Sequence, residues 1–425
     1  MSPNVPPGYK QTEVGVIPEE WEVKHLGDCL SAQPSYGINA AAVTYSDRLP
    51  VYIRITDITE DGRFLPEKLV SVNNAQSGNY FLNDGDIVFA RTGASVGKSY
   101  RYKSKDGQLV FAGFLIRVST DNQKLLPDFA AAYVTTGAYW NWVRLMSMRS
   151  GQPGINGNEY SQLPIPLPPL PEQRAIATAL SDVDALIASL DRLITKKRDM
   201  KQAAMQELLT GKRRLPGFSG VWEEVAIGCL VQDFRGGAPF SPSDFIRTGV
   251  KVLPKGGVCR GGLLKVEEED LQYCSTEYAD AHQRNQVNKD YTIVVLRDLV
   301  PSGPSIGLIV RIPDSEKYVL AQGVYGFKVN ELRASSSYLI QLSNTSWYRQ
   351  VMNEIMVGST QVHITNTAFK KVIVSLPPLP EQTAIAAILS DMDTEIAALE
   401  QKRDKNRLLK QGMMQELLTG RIRLV

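Results

Sequence analysis

The stretch "RTGASVGKS", Arg91 to Ser99, contains the glycines, lysine and hydroxyl residues of a phosphate-binding loop. In such a loop the backbone N–H groups surround the phosphates, so the spacing of the glycines matters. The motif requires four residues between its two glycines. Only three residues separate Gly93 from Gly97. The spacing therefore excludes a nucleotide site, and the cations here need another interpretation.

Aromatic residues are interleaved with these cations, since the chain continues into "YRYKSK" with Tyr100 and Tyr102. Lys and Arg neutralise phosphates and bond to base edges, so the pattern is typical of a DNA-binding surface. The alternative is a solvated strand edge whose lysines prevent edge-to-edge aggregation. The DNA-binding residues predicted in the first half are Arg54, Arg91, Thr92, Ser95, Lys98, Arg101 and Lys103.

A related stretch, "RDLVPSGPSIGLIVR", begins at Arg297 in the second half of the chain. Its small and hydroxyl residues follow those of the first stretch, but Leu308 stands where the first has Lys98. The matched residues are Ser302, Ser305 and Gly307 with Thr92, Ser95 and Gly97. The two halves are therefore expected to read different bases.

A second pair of loops is rich in amide and hydroxyl residues: "SGQPGINGNEY" (150–160) and "GSTQVHITNTAF" (358–369). Gln and Asn can make paired hydrogen bonds to adenine, although the same residue types also build turns. The predicted DNA-binding residues in and near these loops and in the second half are Gln152, Asn156, Lys255, Arg260, Ser302, Ser305, Thr360 and Gln361.

Catalytic and metal-binding patterns are absent from the sequence. The three histidines are scattered, no Ser lies in a nucleophile elbow, and the four cysteines never approach C-x-x-C spacing. No glycine-rich cofactor turn is followed by an acidic ribose ligand. We therefore expect no catalytic residue, no metal and no cofactor in this chain.

Composition favours a globular protein: 43% of the 425 residues are hydrophobic, 22% are charged, and the net charge is +2. Any DNA-binding surface must therefore be a concentrated patch. No apolar run is long enough to span a membrane, and the first residues lack a targeting pattern. A cytoplasmic protein is expected.

The sequence "LPPLPEQ" occurs twice, from Leu167 and from Leu376, 209 positions apart. The two copies continue in register to "MQELLTG" at 205 and 414. Each begins with prolines, which suit the first turn of a helix, and each closes on Gly211 or Gly420, the residue type preferred after a helix end. Both copies therefore predict a helix of nearly forty residues, roughly 55 to 60 Å long.

Apolar residues recur along both helices at the alternating spacing of a coiled-coil seam. A single such helix could instead lie on the core of its own domain, but two matched copies in one chain can bury each other. Polar residues interrupt the seam later on, at Lys197 and Lys201 in one copy and Arg403, Asn406 and Lys410 in the other, which predicts weaker or register-setting pairing there. The predicted seam residues are Ile176, Leu180, Val183, Ile187, Leu190, Ile385, Leu389, Met392, Ile396 and Leu399.

The repeat extends beyond the helices. "IPEEWEVKHLGD" (17–28) resembles "FSGVWEEVAIGC" (218–229), with Trp21 matching Trp222, and both globular parts contain short β-rich runs and a few helical stretches. The predicted architecture is α+β, with two globular domains alternating with two long helices. The predicted boundaries are 1–166 and 213–375 for the globular domains and 167–212 and 376–425 for the helices.

This pattern resembles the specificity subunit of type I restriction-modification enzymes. The resemblance covers nearly the entire chain and is carried by "PPLPEQ", "MQELLTGK", the domain openings "IPEEWEV" and "LPGFSGVWEE", and "DIVFARTGASVGK". The second domain departs from the family in lacking the "RTG". The resemblance implies target recognition domains, an antiparallel coiled coil and a pseudo-two-fold internal repeat.

The same resemblance implies a non-catalytic subunit that binds double-stranded DNA, reads a bipartite asymmetric site and holds its halves at a fixed gap. It also implies docking of two modification (methyltransferase) subunits, which bind S-adenosylmethionine, and through them of restriction subunits, which use ATP. The alternatives are a stand-alone DNA adenine methyltransferase, which the missing "NPPF"-type tetrapeptide disfavours, and a coiled-coil scaffold without DNA contact.

Overall fold

The computed structural model describes residues 5–148, 152–262, 264–265, 268–298 and 302–424. The chain divides into two compact units, which we call unit 1 (Met1–Leu190 with Lys402–Val425) and unit 2 (Asp191–Gln401). Both divisions fall inside the long helices. Each unit therefore contains one globular part, the beginning of one long helix and the end of the other.

Unit 1 has an N-terminal hairpin, a two-stranded pair and two four-stranded sheets, with strand orders β10-β6-β7-β5 and β4-β11-β8-β9. Its strands are β1 (Tyr9–Thr12), β2 (Gly15–Pro18), β3 (Glu22–His25), β4 (Ser35–Tyr36), β5 (Ala42–Thr44), β6 (Val51–Ile53), β7 (Val70–Val72), β8 (Ile87–Ala90), β9 (Ser99–Arg101), β10 (Leu109–Phe111), β11 (Leu115–Val118) and β12 (Pro164–Leu167). Its short helices are α1 (Pro127–Tyr133), α2 (Gly137–Met146) and α3 (Gly157–Ser161).

Local sequence signals explain these helices. Pro127 occupies the first turn of α1, where its missing N–H costs nothing, and the Thr136 side chain caps α2 by accepting from the Tyr139 N–H. Asn156 and Glu159 form a reciprocal capping box at α3. The strand β8, "IVFA", is buried on both faces and lies in the middle of its sheet.

Unit 2 repeats this plan with one four-stranded sheet, β14-β23-β19-β21, and one five-stranded sheet, β15-β17-β16-β22-β18. Its strands are β13 (Glu223–Ala226), β14 (Val231–Arg235), β15 (Phe245–Ile246), β16 (Val250–Leu253), β17 (Gln272–Cys274), β18 (Gln286–Val287), β19 (Thr292–Val295), β20 (Arg297–Asp298), β21 (Ile309–Arg311), β22 (Tyr318–Leu320), β23 (Val324–Val329), β24 (Val362–His363) and β25 (Ile373–Leu376). Its short helices are α5 (Thr276–Ala281), α6 (Ser336–Ser343), α7 (Ser346–Ile355) and α8 (Asn366–Lys371).

Strand pairing confirms the internal repeat. In both units an otherwise antiparallel sheet contains one parallel pair, β6 with β10 in unit 1 and β16 with β22 in unit 2. In each globular part the last strand pairs antiparallel with a strand near its beginning, β12 with β3 in unit 1 and β25 with β13 in unit 2. The similarity read from the sequence is therefore a similarity of topology.

The two repeated segments form the long helices α4 (Leu170–Leu208) and α9 (Leu379–Leu417), each of 39 residues. Gly211 and Gly420 follow them with φ of 71° and 69°, a conformation that glycine adopts without strain. The predicted helix of nearly forty residues is present in both copies, and each helix lies within the predicted segment, 167–212 or 376–425.

Ion pairs show that the helices run antiparallel. In unit 2, Lys201 of α4 bonds to Asp393 of α9 at 2.5 Å. In unit 1, Lys410 of α9 bonds to Asp184 of α4 at 2.7 Å. The second pair is the first one repeated at the 209-residue offset. The lysines that interrupt the predicted seam therefore bond across it, which is the register-setting role.

Part of the apolar stripe of each long helix packs on the core of a globular part, and part packs against the other long helix, so both interpretations of the stripe hold. Near the helix starts, Ile176 and Leu180 are buried in the core of unit 1 beside Leu417, so they contact the globular part as well as the other helix. Ile385 and Leu389 do the same in unit 2 beside Leu208. Of the other predicted seam residues Leu190 is buried, and those half-buried are Val183, Ile187, Met392, Ile396 and Leu399.

Candidate nucleic-acid interface

The "PEQ" of each repeat anchors a globular part to both long helices. Glu172 is fully buried, and its carboxylate accepts hydrogen bonds from the Trp21 indole at 3.0 Å and from Arg423, which follows α9. Glu381, equally buried, accepts two hydrogen bonds of 2.6 Å from Arg214, which follows α4. A buried carboxylate requires such partners, because an uncompensated charge in the interior is strongly unfavourable.

The neighbouring glutamine completes each anchor. The Gln173 amide oxygen accepts from the Leu126 N–H at 2.9 Å, and its NH2 group donates to the Lys124 carbonyl at 2.9 Å. In unit 2, Gln382 accepts from the Ser335 N–H and donates to the Arg333 carbonyl, at 2.9 and 3.2 Å. The repeated heptapeptide is therefore the connection that holds each globular part at the start of a long helix.

In unit 1 the two predicted DNA-binding loops lie side by side. The Gly93 N–H donates to the Pro153 carbonyl at 3.0 Å, and Thr92 forms a β-bridge with Gly154. The loop leaves the end of β8 and turns back through Gly97, whose N–H donates to the Ala90 carbonyl at 3.0 Å. The cationic stretch and the amide-rich stretch thus form one surface at one end of a buried strand.

Unit 2 has the same arrangement at the end of β19. The Gly307 N–H donates to the Val295 carbonyl at 2.8 Å, and β20, which follows β19, pairs with β24 of the second amide-rich loop. Gly303 and Gly307 have φ of 50° and 74°, matching 74° and 89° for Gly93 and Gly97. The correspondence proposed from the sequence is therefore a shared backbone conformation.

The predicted residues of unit 1 differ in their freedom to bind. Lys103 and Gln152 are exposed, and Lys98 lies 4.0 Å from the carboxylate of Glu60, an exposed residue. Arg91 lies over the Tyr36 ring at 4.9 Å. Thr92 and Ser95 are half-buried in the loop backbone.

Three other predicted residues of unit 1 have internal partners. Arg54 makes a bidentate bond to Asp57, Arg101 pairs with Asp128 at 3.2 Å, and Asn156 caps α3. Direct DNA contact by any of these residues stays a prediction.

In unit 2 the predicted residues are mostly exposed. Arg260, Ser302, Thr360 and Gln361 face solvent, whereas Ser305 donates to the Asp298 carboxylate at 2.7 Å. Lys255 is half-buried, and this burial together with nearby Arg297 lowers its pKa. Their DNA contacts also stay a prediction.

Sequence reasoning missed the residues that support the loops from behind. In unit 1, Trp140 and Val143 of α2 pack under Gly97, where an added Cβ would lie 2.6 Å from the Val143 side chain. In unit 2, the guanidinium of Arg349 donates to the carbonyls of Gly303, Pro304 and Ile306. Trp140 and Arg349 are 209 residues apart, so the offset of the repeat was a signal that could have found them.

The described ranges contain no cluster of three or more metal-ligating side chains. Within the same ranges, none of the helices combines the length and apolar character that crossing a membrane requires.

Comparison with known proteins places this geometry in a family. The family model described as type I restriction modification DNA specificity domain matches residues 18–196 and 266–410. The matched residues make up more than half of the chain, which belongs to this family.

Curated relatives have the same character over almost their full length. The type I restriction enzyme MjaVIII specificity subunit of Methanocaldococcus jannaschii is 24% identical, over 96% of this chain and 94% of the relative. The putative MjaX specificity subunit of the same organism is 26% identical, over 98% and 97%. The EcoKI specificity subunit of Escherichia coli K12 is 23% identical, over 87% and 82%.

Solved structures share the fold. The S subunit of a type I restriction-modification system from M. genitalium aligns with a TM-score of 0.59 at 13% identity, covering 93% of this chain and 96% of that one. A chain from a structure on complex assembly and conformational transition of a type I R-M system aligns at 0.55 with 18% identity, covering 96% and 99%. These likenesses confirm the predicted α+β architecture with its long paired helices.

Family membership also decides between the alternatives. Specificity subunits are non-catalytic DNA-recognition subunits, so the chain is not a stand-alone methyltransferase. A scaffold without DNA contact is excluded on the same ground.

Proposed function

We propose that each unit reads one half of a bipartite, asymmetric DNA site through the loop surface at the end of its buried strand. The observation that supports this is that the two loops share a backbone conformation but carry different side chains. Both units hold the loop Gly93–Gly97 or Gly303–Gly307 in the same backbone shape. Lys98 in one loop is replaced in the other by Leu308, which is buried in the core, so only the loop of unit 1 presents a cation at this position.

The helices are proposed to set the unread gap between the two halves. A helix of 39 residues is roughly 58 Å long, and repeated ion pairs such as Lys201–Asp393 fix the register of the pair. A fixed register keeps a spacing constant, as the half-site spacing of dimeric DNA readers requires.

We further propose that the chain docks two modification (methyltransferase) subunits, one for each repeat, and restriction subunits through them. The repeat supports this number, because one chain then presents the same surface twice. S-adenosylmethionine and ATP would be bound by these partners. The cytoplasmic location stays a prediction.

Methylation mapping tests whether the chain recognises a bipartite DNA site. The chain is co-expressed with its modification subunits, and methylated adenines are mapped across genomic DNA. A split target with two dissimilar halves is expected. A continuous target, or methylation without sequence preference, would contradict the proposal.

A second experiment tests the gap. Seven residues are inserted into each long helix at the matched positions after Leu190 and after Leu399. Since a heptad adds roughly 10 Å of helix, the gap should lengthen by about three base pairs while both half-sites stay the same. The matched control inserts seven residues at Gly107, an exposed turn with no neighbour near its Cβ position. An unchanged gap in the helix variant would refute the role of the helices.

A further inference from the structure

Unit 2 contains a cationic groove that the sequence motifs did not indicate. The groove has a volume of about 630 Å³, and its lining includes Arg235, Arg284, Lys317 and Lys328 but only one acid, Asp280. Arg284 and Lys317 are exposed. Among the described residues, no acid is within ion-pair distance of Arg284, Lys317 or Lys328. Cations gathered in one concave surface create a positive potential that attracts an anion.

The floor of the groove holds two of its cations, Arg235 and Lys328, in place. Tyr291 is buried, and the Arg235 guanidinium and the Lys328 ammonium lie 4.7 and 5.1 Å from its ring centroid. The Tyr291 hydroxyl and the Arg235 guanidinium both donate to Asp233. Cation–π contact and a shared carboxylate order side chains that would otherwise be mobile, and this ordering lowers the entropy lost on binding.

A strained backbone aims Arg235 into this place. Asp233 has a φ of 45°, and the register of β14 against β23 shifts between Gln232 and Arg235. Bulges and left-handed non-glycine residues persist where the surrounding structure demands them, and they concentrate at functional sites.

The same position in unit 1 is closed. Arg117 of β11 donates to the Ser35 hydroxyl at 3.1 Å and to the Phe81 carbonyl at 3.2 Å. In unit 1, Arg117 on β11 pairs with Ser35 on β4. In unit 2 the arginine is on the other strand of the equivalent pair, because Arg235 on β14 pairs with Gly326 on β23. Arg235 donates to the Gln286 carbonyl at 2.7 Å.

We infer that this groove is an anchor for the DNA backbone phosphates, in which Arg284, Lys317 and Lys328 neutralise phosphates flanking the half-site read by unit 2. The inference rests on the proposed function. Tyr291 precedes β19 and the reading loop follows it, so the groove and loop are separated by roughly 13 Å, the length of the strand. This distance is comparable with the width of the major groove, about 12 Å, so a loop in that groove would place the cations near its bordering phosphates.

The test measures the affinity of the chain, assembled with its modification subunits, for two duplexes of equal length across a salt series. One duplex carries the mapped target and the other a shuffled sequence. The groove variant replaces Arg284, Lys317 and Lys328 by Gln. The control replaces three exposed cations outside the groove, Arg247, Arg333 and Lys371, by Gln, which changes the net charge equally.

The groove variant is expected to bind both duplexes more weakly, with the slope of log affinity against log salt reduced in magnitude by about 2 to 3 relative to the control, since each phosphate contact contributes about 0.9. Phosphate ethylation should interfere with wild-type binding beside one half-site and lose that effect in the variant. A slope equal to that of the control, or a loss confined to the target duplex, would overturn the inference. Failure of the wild-type assembly to prefer the target would instead refute the proposed function.

Discussion

The two anchors occupy equivalent positions in the repeat, and so do the two loops proposed to read DNA, Gly93–Gly97 and Gly303–Gly307. The two anchors resemble each other more closely than the two loops do. Glu172 bonds to Arg423 in unit 1, and Glu381 bonds to Arg214 in unit 2. The two glutamates are 209 positions apart in the sequence, and so are the two arginines. The loops keep the same glycine conformations, but the residue behind the loop changes from Trp140 to Arg349. The chain thus repeats the contacts that position each unit and varies those that support the two loops.

The anchors themselves differ in one respect. In unit 1 the Trp21 indole donates to Glu172, and Arg423 also pairs with Glu20 at 3.0 Å. In unit 2 the indole nitrogen of Trp222 is buried and, within the described part of the chain, has no hydrogen-bond partner. Unit 1 therefore has the more fully bonded anchor.

Removing the anchor charge should have the largest effect. Glu172→Gln removes the buried carboxylate that Arg423 bonds, leaving Arg423 only the exposed Glu20, and weakens the bond from Trp21, so we expect unit 1 to lose about 3 kcal/mol of stability. Glu381→Gln should cost unit 2 about 2 kcal/mol, because Trp222 makes no bond to be lost. Hydrogen exchange of the first turns of α4 and α9 would measure both. Glu207→Gln, at an exposed acid of α4, is the control. Equal losses in the two units would contradict the ranking.

The reading-loop glycines come next. Gly97→Ala forces a side chain into a φ of 89° and toward Val143 and Trp140, so we expect a loss of about 2 kcal/mol in thermal unfolding and weaker recognition of one half-site. Gly107→Ala has a φ of 81° with open space and isolates the backbone contribution, about 1 kcal/mol.

Gly307→Ala sharpens the comparison between units. Its Cβ would lie 2.4 Å from the Cγ of Met352, which is fully buried, so moving the far end of that side chain does not relieve the contact. The cost should therefore be similar to that of Gly97→Ala and should affect the other half-site. A much smaller cost at Gly307 would show that the two loops are supported differently from this description.

Lys98→Ala should weaken DNA binding by about tenfold, since Lys98 is the loop cation that Leu308 replaces in unit 2. A loss uniform across sequences would indicate phosphate contact, and a loss confined to one half-site would indicate base reading. Arg101→Ala should weaken binding less, because Arg101 is already paired with Asp128. Lys68→Ala, at an exposed cation, is the control for charge. Unchanged binding by both the Lys98 and Arg101 variants would remove this patch from the site.

The smallest effect should come from the helix ion pairs. A double-mutant cycle on Lys201 and Asp393 should give a coupling of about 1 kcal/mol, because the Lys201 side chain is only 12% exposed. The repeated pair, Lys410 and Asp184, is more exposed, at 27% and 56%, and should couple by about 0.3 kcal/mol. Urea unfolding measures both, and a reversed order would mean that burial does not control their strength.

Much of the architecture could be predicted because its signals are local or repeated. Prolines before Leu170 and Leu379 and glycines at 211 and 420 mark both helices, and the apolar spacing between them predicts pairing. The 209-residue offset predicts two equivalent units. The matching of the two glycine loops was also predicted correctly, since positive φ at Gly93, Gly97, Gly303 and Gly307 leaves a sequence signature.

The candidate site was less predictable, because the partner of a side chain depends on distant residues. Arg54, Arg101 and Asn156 look like available DNA-binding residues in the sequence, but Asp57, Asp128 and the start of α3 occupy them. Arg349 and the cationic groove have no local motif at all. Their residues meet only when strands and helices from separate segments pack together.

The sequence by itself determined the repeat, the two long helices and the family to which the chain belongs, because periodicity and punctuation act over a few residues and are copied whole. Only the tertiary structure decided which polar residues bond inward and which remain for a ligand. Burial and hydrogen bonding depend on residues that are neighbours in space. Glu172, for example, bonds to Arg423, which is 251 positions away in the sequence.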